Sequence, residues 1–401
     1  MNILVINCGS SSFKYQLIDM TTEQALCSGL VERIGESMGR LVHKKFPDTA
    51  NEAKHTIDEP FTDHTAGMGA VMELIVDKEW GVIENLQEIS AVGHRVVQGG
   101  EKLQKACIVT DDVKKGIEEV APLAPLHNHA HLQGIEAAQR LLAHAPSVVV
   151  FDTEFHSTMP AEAYMYPLPY ELYEEFSIRR YGFHGTSHRY VGAEAAKLLG
   201  KSFENFTGIT CHLGNGCSIT AIKDGKCIDT SMGMTPLAGV MMGTRCGDID
   251  PAIVPFLAKH KNMAPADIDT LMNKESGLKG IAGNSDMRDL HSAVERGDKM
   301  ARLALDMFCY NILKYIGSYY IVLGHADALV FTAGIGENDD IARKEICARL
   351  TAMGIKLDLD KNAVRSGEPR VISQPESKVP VMVIPTNEEL AIALATAELV
   401  Q

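Results

Sequence analysis

Met1-Asn2-Ile3-Leu4-Val5-Ile6-Asn7-Cys8-Gly9-Ser10-Ser11-Ser12-Phe13-Lys14 opens the chain, and the reading of this stretch decides the fold class. The apolar run Ile3-Leu4-Val5-Ile6 suits a buried strand. It enters a polar glycine loop, and the chain leaves as a second strand from Phe13 to Ile18. Gly9 and the serines leave backbone N–H groups and hydroxyls at the turn, a concave set of small donors suited to a phosphate. Lys14 adds a cation beside it. Taken alone, the stretch reads equally well as an ordinary N-terminal hairpin.

Recurrence separates the two readings. Gly208-Ile209-Thr210-Cys211 runs into His212-Leu213-Gly214-Asn215-Gly216-Cys217-Ser218 and out through Ile219-Thr220-Ala221-Ile222. Ala328-Leu329-Val330-Phe331 ends in Thr332-Ala333-Gly334-Ile335-Gly336-Glu337-Asn338, followed by a helical pattern. Three apolar strands thus each deliver a glycine-bearing loop, the first two in separate halves of the chain. Duplicated domains closing on one nucleotide produce that pattern. The chain has no G-x-x-x-x-G-K-[ST], and Asp339 stands where a dinucleotide fingerprint needs its third glycine.

At 401 residues the chain exceeds a single core and suggests two domains. A net charge of −14 argues against general affinity for nucleic acid or an anionic membrane. An anionic substrate must then be drawn by local cations. No apolar run approaches the roughly 18 residues of a membrane span, and Met1 leads directly into a strand, so neither membrane insertion nor a signal peptide is expected. Nine cysteines without a C-x-x-C read as reduced, mostly packing thiols of a cytoplasmic protein.

Strands and helices alternate, which makes the class α/β. Helices are expected near Thr65–Val76, His127–His144, Ser187–Leu199, Ala264–Met272 and Lys299–Leu323. A strand at Ile89–Val92 leads to Gly93-His94-Arg95-Val96-Val97, and a buried strand Ser147–Phe151 ends at Asp152. Near the end, Thr386 and Glu389 fit a capping box for a helix from Leu390 to Val400. That explains Glu389 structurally and leaves Glu388 at a helix start, where it could hold a cation. His127, His129 and His131 are spaced by two and do not share a helix face as a metal set would. His129 and His131 read as solvated. Asp248 and Asp250 with Pro251 read as a helix start.

Five strings carry a family resemblance: Asn7-Cys8-Gly9-Ser10-Ser11-Ser12-x-Lys14, Gly93-His94-Arg95-Val96-Val97, Tyr181-Gly182-Phe183-His184-Gly185-Thr186-Ser187-His188, His212-Leu213-Gly214-Asn215-Gly216 and Gly336-Glu337-Asn338. In this order they resemble the acetate kinase family, of the superfamily of acetate and sugar kinases, heat-shock ATPases and actin. The resemblance covers nearly the whole chain. It implies two duplicated actin-like (ribonuclease H-like) domains around a nucleotide cleft: residues 1–150 with 386–401, and residues 151–385 with the nucleotide site and dimer contacts. It also implies a homodimer, Mg²⁺ with Mn²⁺ as a substitute, and the reaction ATP + acetate ⇌ ADP + acetyl phosphate. No nucleic-acid or membrane partner is expected.

Acetate is already a carboxylate at neutral pH, so no general base is needed. The task is to bring an anion in line with a tetra-anion, by positioning and charge neutralisation. By resemblance, Arg95 binds acetate with its planar fork, Arg245 and His184 act on the transferring phosphoryl, and Asp152 is the active-site acid. Asp152 is expected to orient an arginine or a metal-bound water. Asn7 and Glu388 carry over as the metal site. Lys14, Ser10, Ser12 and the loop His212, Leu213, Gly214, Asn215, Gly216 carry over as phosphate contacts. Asp286, Met287, Arg288 and the stretch Gly334, Ile335, Gly336, Glu337, Asn338 carry over to the adenosine. The acetate methyl is implied to sit among Val97, Leu126, Phe183 and Pro236, with a smaller residue, typically Ala, matching Val97 in propionate kinases. The residues leave two further readings open: a kinase for another short carboxylate, and a non-enzymatic, ATP-gated actin-like binding module.

Overall fold

Apolar and β-branched runs become the central strands of two sheets. The first sheet comprises β1 (Asn2–Cys8), β2 (Ser12–Asp19), β3 (Gln24–Glu32), β4 (Gly39–Lys45), β5 (Ala53–Glu59), β6 (Ile89–Val96), β7 (Cys107–Ile108) and β8 (Ser147–Phe151). The second comprises β9 (Gly208–Leu213), β10 (Cys217–Lys223), β11 (Lys226–Thr230), β12 (Ala328–Thr332), β13 (Arg370–Val371) and β14 (Val381–Val383). The computed structural model describes residues 1–124 and 127–401. They form two compact units, Met1–Glu154 with Asn387–Gln401, and Phe155–Thr386.

The sheet orders are β5-β4-β3-β2-β1-β6-β8-β7 and β11-β10-β9-β12-β14-β13. In the first, β3, β2 and β1 are antiparallel neighbours, and β6 and β8 then continue parallel to β1. In the second, β11, β10 and β9 repeat the antiparallel trio, and β12 and β14 continue parallel to β9. Five strands thus recur in the same order and direction, which is the duplication inferred from the glycine loops. The parallel strands β8, β9, β12 and β14 are buried at every position, as expected for strands covered on both faces. Edge strand β5 (Ala-Lys-His-Thr-Ile-Asp-Glu) is polar and largely exposed.

In the first unit Leu4, Ile6, Phe13, Leu17, Val31 and Val92 pack with Met68, Val71, Met72 and Ile75 of the helix His64–Ile75. The C-terminal helix Glu388–Val400 lies against β1, β6 and β8. Its approach depends on Gly93, where a Cβ would meet Thr396 Oγ1 at 2.5 Å and Ile392 Cγ2 at 2.8 Å. In the second unit the helix Lys299–Leu323 buries Leu305, Phe308, Ile312 and Ile316 along one stripe.

Three local readings need correction. β6 continues to Val96, so Arg95 lies within a strand rather than after one. The run Gly334–Asn338 is not a loop but part of a short helix, Ala333–Asn338, entered through Ala333 at φ 64°. The C-terminal helix is capped by Asn387, whose side chain accepts from Leu390 N at 3.0 Å. Thr386 instead bonds Ser187 Oγ at 2.8 Å. No capping box forms, because the chain enters the helix one residue later than the Thr-x-x-Glu spacing requires.

The cap assignment separates neighbouring substitutions. Asn387→Ala is expected to lower stability by about 1 kcal/mol, and Glu389→Ala by less than half as much. Thermal or urea unfolding of the two variants measures the difference.

Candidate active site

In the first unit the parallel pairing of β6 with β8 sets Arg95 opposite Val150 and Val96 opposite Phe151. Asp152 N continues the ladder to Val96 O at 2.9 Å. The two side chains therefore meet at the carboxyl edge of the sheet. Arg95 Nε donates to Asp152 Oδ1 at 3.2 Å and Nη2 to Oδ2 at 2.7 Å, a planar bidentate match. Arg95 Nη1 reaches Asn7 Oδ1 at 3.4 Å. The Asp152 side chain is 2% exposed and that of Arg95 19%. Burial opposes the guanidinium charge, but Asp152 and Glu388 outweigh it and hold the Arg95 pKa above its ordinary value.

Glu388 stands at the first turn of the C-terminal helix. Burial raises its pKa, and the negative charges of Asp152 and Glu389 add to the rise against Arg95 and Lys14. Lys14 faces Asn7 across the β1–β2 ladder. Ser10 lies in the turn that follows β1 and Ser12 begins β2, with Gly9 N bonded to Ser12 O at 2.7 Å. The first unit thus gathers Asn7, Lys14, Arg95, Asp152 and Glu388 around the ends of β1, β6 and β8. Val97, 4% exposed, follows directly after β6. Leu126 lies outside the described residues.

In the second unit His184 begins the helix Gly185–Leu198 in the left-handed region, φ 57°, a backbone state that marks functional positions. Its Nδ1 bonds Ser218 Oγ at 2.8 Å, and its ring stacks on His212 with centroids 4.0 Å apart. His188 carries the network inward, bonding Ser218 Oγ at 2.7 Å and Thr210 Oγ1 at 2.7 Å. Burial drives the His188 pKa well down, so this ring is neutral. Ser187 holds His212 Nδ1 at 2.8 Å. Arg245 Nη1 donates to Pro236 O at 2.9 Å, and burial lowers its pKa. His184 and Arg245 flank Gly216: a Cβ built there would lie 3.4 Å from His184 Cε1 and 3.5 Å from Arg245 Nη1. Phe183 is buried and its carbonyl accepts from His156 Nε2 at 2.8 Å.

A cavity of about 590 Å³ lies beside this group within the same unit. Gly214, Asn215, Asp286, Met287, Arg288, Gly334, Ile335 and Asn338 line it, so three separate sequence strings converge on one nucleoside-sized space. Gly336 and Glu337 do not line it. The Gly336 carbonyl accepts from Arg343. The Glu337 carboxylate accepts from Ala333 N at 2.8 Å and Thr386 N at 3.1 Å, which identifies it as a brace for the short helix. Leu213 is buried in β9, leaving only its backbone to address a ligand.

The same cavity is lined by Ser285, His291, Asp339 and Arg365, which sequence reasoning missed. Arg365 and His291 stand far from any glycine string, and only the fold brings them together. His129 is exposed as expected, but His131 is 3% exposed because it falls on the inward stripe of the helix Asn128–Leu141 with Ala130, Gly134 and Ile135. Asp250 accepts from Ala252 N at the entry to the helix Ile253–His260. Asp248 instead accepts from Gly239 N and Tyr315. Among the described residues no cluster of three or more His, Cys, Asp or Glu could hold a metal.

Two units on one strand plan, with Arg95 held by Asp152 at a sheet edge in one and three sequence strings walling a cavity of about 590 Å³ in the other, are in keeping with a phosphotransferase that has a carboxyl acceptor. Residues 2–394 match the model of the acetokinase family, and the chain belongs to that family. It is 61% identical over 401 residues to an acetate kinase of Nitratidesulfovibrio vulgaris, covering 100% of both chains. The crystal structure of acetate kinase from Porphyromonas gingivalis matches with a TM-score of 0.95 at 44% identity, covering 100% of both chains. A propionate kinase structure from Francisella tularensis matches with 0.91 at 42% identity, covering 99% of both.

His291 offers a test of the cavity electrostatics. Its Nε2 pairs with Asp339 Oδ2 at 2.7 Å. That hydrogen bond, with the charges of Asp339, Glu345 and Asp340, raises its pKa above 6.5 against the effect of burial. The stabilisation is complete below the ordinary histidine value of about 6.5 and fades as pH rises through the raised native value. His291→Gln is expected to cost about 1.5 kcal/mol near pH 6 and distinctly less near pH 9. Urea unfolding of both proteins at the two pH values checks it.

Proposed function

We propose that the chain transfers the γ-phosphoryl group of ATP to acetate, reversibly, giving ADP and acetyl phosphate. The observation that carries this reading is the Arg95 fork, held by Asp152 at a sheet edge. A nucleotide-gated switch needs phosphate contacts but has no use for a carboxylate-binding arginine. The 61% identical relative named acetate kinase supports acetate as the acceptor.

In this reading an acetate oxygen attacks the γ-phosphorus as the bond to the β,γ-bridging oxygen breaks, and ADP leaves with that electron pair. The nucleophile is an anion already, so Asp152 removes no proton. It keeps Arg95 charged and oriented. Arg245 and a bond from His184 through Nε2, with Nδ1 engaged at Ser218, neutralise the equatorial oxygens. The cavity walled by Gly214, Asp286–Arg288, Gly334, Ile335 and Asn338 takes the nucleoside, and Lys14, Ser10 and Ser12 serve phosphate oxygens.

Asn7 and Glu388 would hold Mg²⁺. An amide oxygen and a carboxylate are hard ligands, two in number, leaving room for water and phosphate oxygens. The negative charge that Asp152 and Glu389 bring to Glu388 makes a cation welcome there. Bound Mg²⁺, or Mn²⁺ in its place, would offset charge on the ATP phosphates. A homodimer is supported by Tyr310, Ile321 and Val322, exposed at 53%, 77% and 54% on the helix Lys299–Leu323, and by Phe256 at 59%. No helix among the described residues is long and apolar enough to cross a membrane.

Trapping acyl phosphate as the hydroxamate tests the activity directly. Acyl phosphate formed from acetate and ATP is expected, and ADP formation indifferent to acetate would sink the reading. Chiral γ-phosphoryl ATP is expected to invert at phosphorus, as one displacement requires.

The two arginines are expected to differ in kind. Arg95→Ala should mainly raise the KM for acetate and, because it takes the opposite charge away from the buried Asp152 carboxylate, lower stability by about 3 kcal/mol. Arg245→Ala should lower kcat about a hundredfold, the loss of one charge contact to the transition state. Steady-state kinetics with separate acetate and ATP titrations distinguish them, and near-normal kcat for Arg245→Ala removes its assignment.

Acceptor size supplies a further check. Val97→Ala is expected to shift the ratio of kcat/KM for propionate over acetate upward by about tenfold, since a methylene contributes about 0.8 kcal/mol where there is room and costs about 1–3 kcal/mol where there is not. Both ratios are measured under the same ATP and Mg²⁺. An unchanged ratio removes Val97 from the acyl pocket.

A further inference from the structure

The short helix Ala333–Asn338 presents Gly334, Ile335 and Asn338 to the cavity. Six residues supply few internal hydrogen bonds, so such a helix does not hold itself in place. Its entry is anchored by Glu337, which accepts from Ala333 N. Its other half is anchored by Arg343, 2% exposed, whose Nη1 donates to the Gly336 carbonyl at 2.9 Å. The same guanidinium donates through Nε to Asn362 Oδ1 at 2.8 Å and through Nη2 to Asn362 O at 2.6 Å. Asn362 Nδ2 in turn donates to Asp340 O at 2.8 Å.

Among the described residues Arg343 forms no salt bridge, and its three hydrogen-bond acceptors are neutral oxygens. Burial and the neighbouring Arg370 charge lower its pKa to about 10. A buried cation whose hydrogen-bond acceptors are all neutral, with Asp340 and Asp339 acting only through space, is an expensive way to fill space, since an apolar side chain of similar volume would pack without that cost. What the planar fork supplies is simultaneous fixation of oxygens on two elements. Arg370 acts alike on the far rim, donating to Val364 O at 2.9 Å and Ser366 O at 3.0 Å on either side of cavity-lining Arg365.

We infer that Arg343 is a positioning residue for nucleotide binding: through the Gly336 carbonyl it sets where the short helix presents its cavity face. The inference rests on the nucleotide reading of that cavity. Lysine cannot replace the fork, because one ammonium cannot meet three divergent oxygens from the same site.

Arg343→Lys is expected to raise the KM for ATP and the Kd for ADP about tenfold, with the KM for acetate and kcat at saturating ATP within about twofold of wild type. Calorimetric titration of ADP, well below the melting temperature of each protein, separates this from simple destabilisation, which lowers Tm and leaves Kd unchanged. Millimolar guanidinium is expected to restore part of the ADP affinity of Arg343→Ala, and methylammonium is not. If Arg343→Lys does not fold, Asn362→Ala carries the test: it loses the Nε acceptor and the Asp340 link but keeps the Gly336 bond, and about a threefold weaker ADP Kd is expected. An ADP Kd within twofold of wild type in the folded variant, or a KM for acetate that rises as much as that for ATP, overturns the inference alone. A wild-type chain that does not bind ADP overturns the nucleotide reading itself.

Discussion

The first unit hangs on one ion pair, Arg95 with the buried Asp152, and that pair, on which the proposed acceptor site rests, is a consequence of backbone register. Parallel pairing of β6 and β8 aligns Arg95 with Val150 and Val96 with Phe151, and one more backbone bond brings Asp152 level with Val96. With the Asp152 side chain 2% exposed, neither charge is tolerable there without the other. Asn7 is the last residue but one of β1, the parallel neighbour of β6, and Glu388 begins the helix packed across these strands. Asn7, Arg95, Asp152 and Glu388 are therefore delivered by adjacent strand ends and one helix start, and disturbing any of the charged ones disturbs the charge balance of the rest.

The second unit solves a different electrostatic problem on the same strand plan. The ligand proposed for it is the richer in negative charge, yet the chain as a whole carries −14, so attraction has to be local. The means are backbone amides at glycine turns, Arg245, and an imidazole–hydroxyl network of His184, Ser218, His188, Thr210, His212 and Ser187. Within that network His188 is kept neutral by burial, which lets it bond two hydroxyls without adding charge to the core. The rigid stack of His184 on His212 fixes an imidazole whose backbone is already constrained by a positive φ. Such a site is organised before substrate arrives, which is what electrostatic stabilisation of a transferring phosphoryl requires.

Short-range signals read well because they are properties of a few consecutive residues. The apolar runs at Ile3–Ile6, Gly208–Cys211 and Ala328–Phe331 could only be buried strands. The glycine turns that follow the first two are where they were expected, and the stripe of Lys299–Leu323 carried its own boundaries. The errors arose where two local signals competed. Thr386-x-x-Glu389 has the form of a capping box, yet Asn387 is also a good cap, and the tie was broken by Ser187 and Glu337, which hold Thr386 outside the helix. Gly334–Asn338 looks like a loop by composition, but Glu337 and Arg343 hold its ends as a helix. His131 looks solvent-facing in a polar string and is buried because the helix turns it inward.

The α/β class, the duplicated strand–glycine-turn–strand unit, the family, and the residue types that phosphoryl transfer to a carboxylate demands are all legible along the chain. Each of these is written in spacing or in contiguous strings. Which of those residues share a space, and which merely support them, emerges only on folding. The Arg95–Asp152 fork joins residues 57 positions apart, His291 meets Asp339 across 48, and Arg365 reaches the wall of the Gly214 cavity from a segment without any motif. The physical reason is that hydrogen bonds, ion pairs and close packing act over a few ångströms in space, whereas a sequence pattern records only neighbours along the chain.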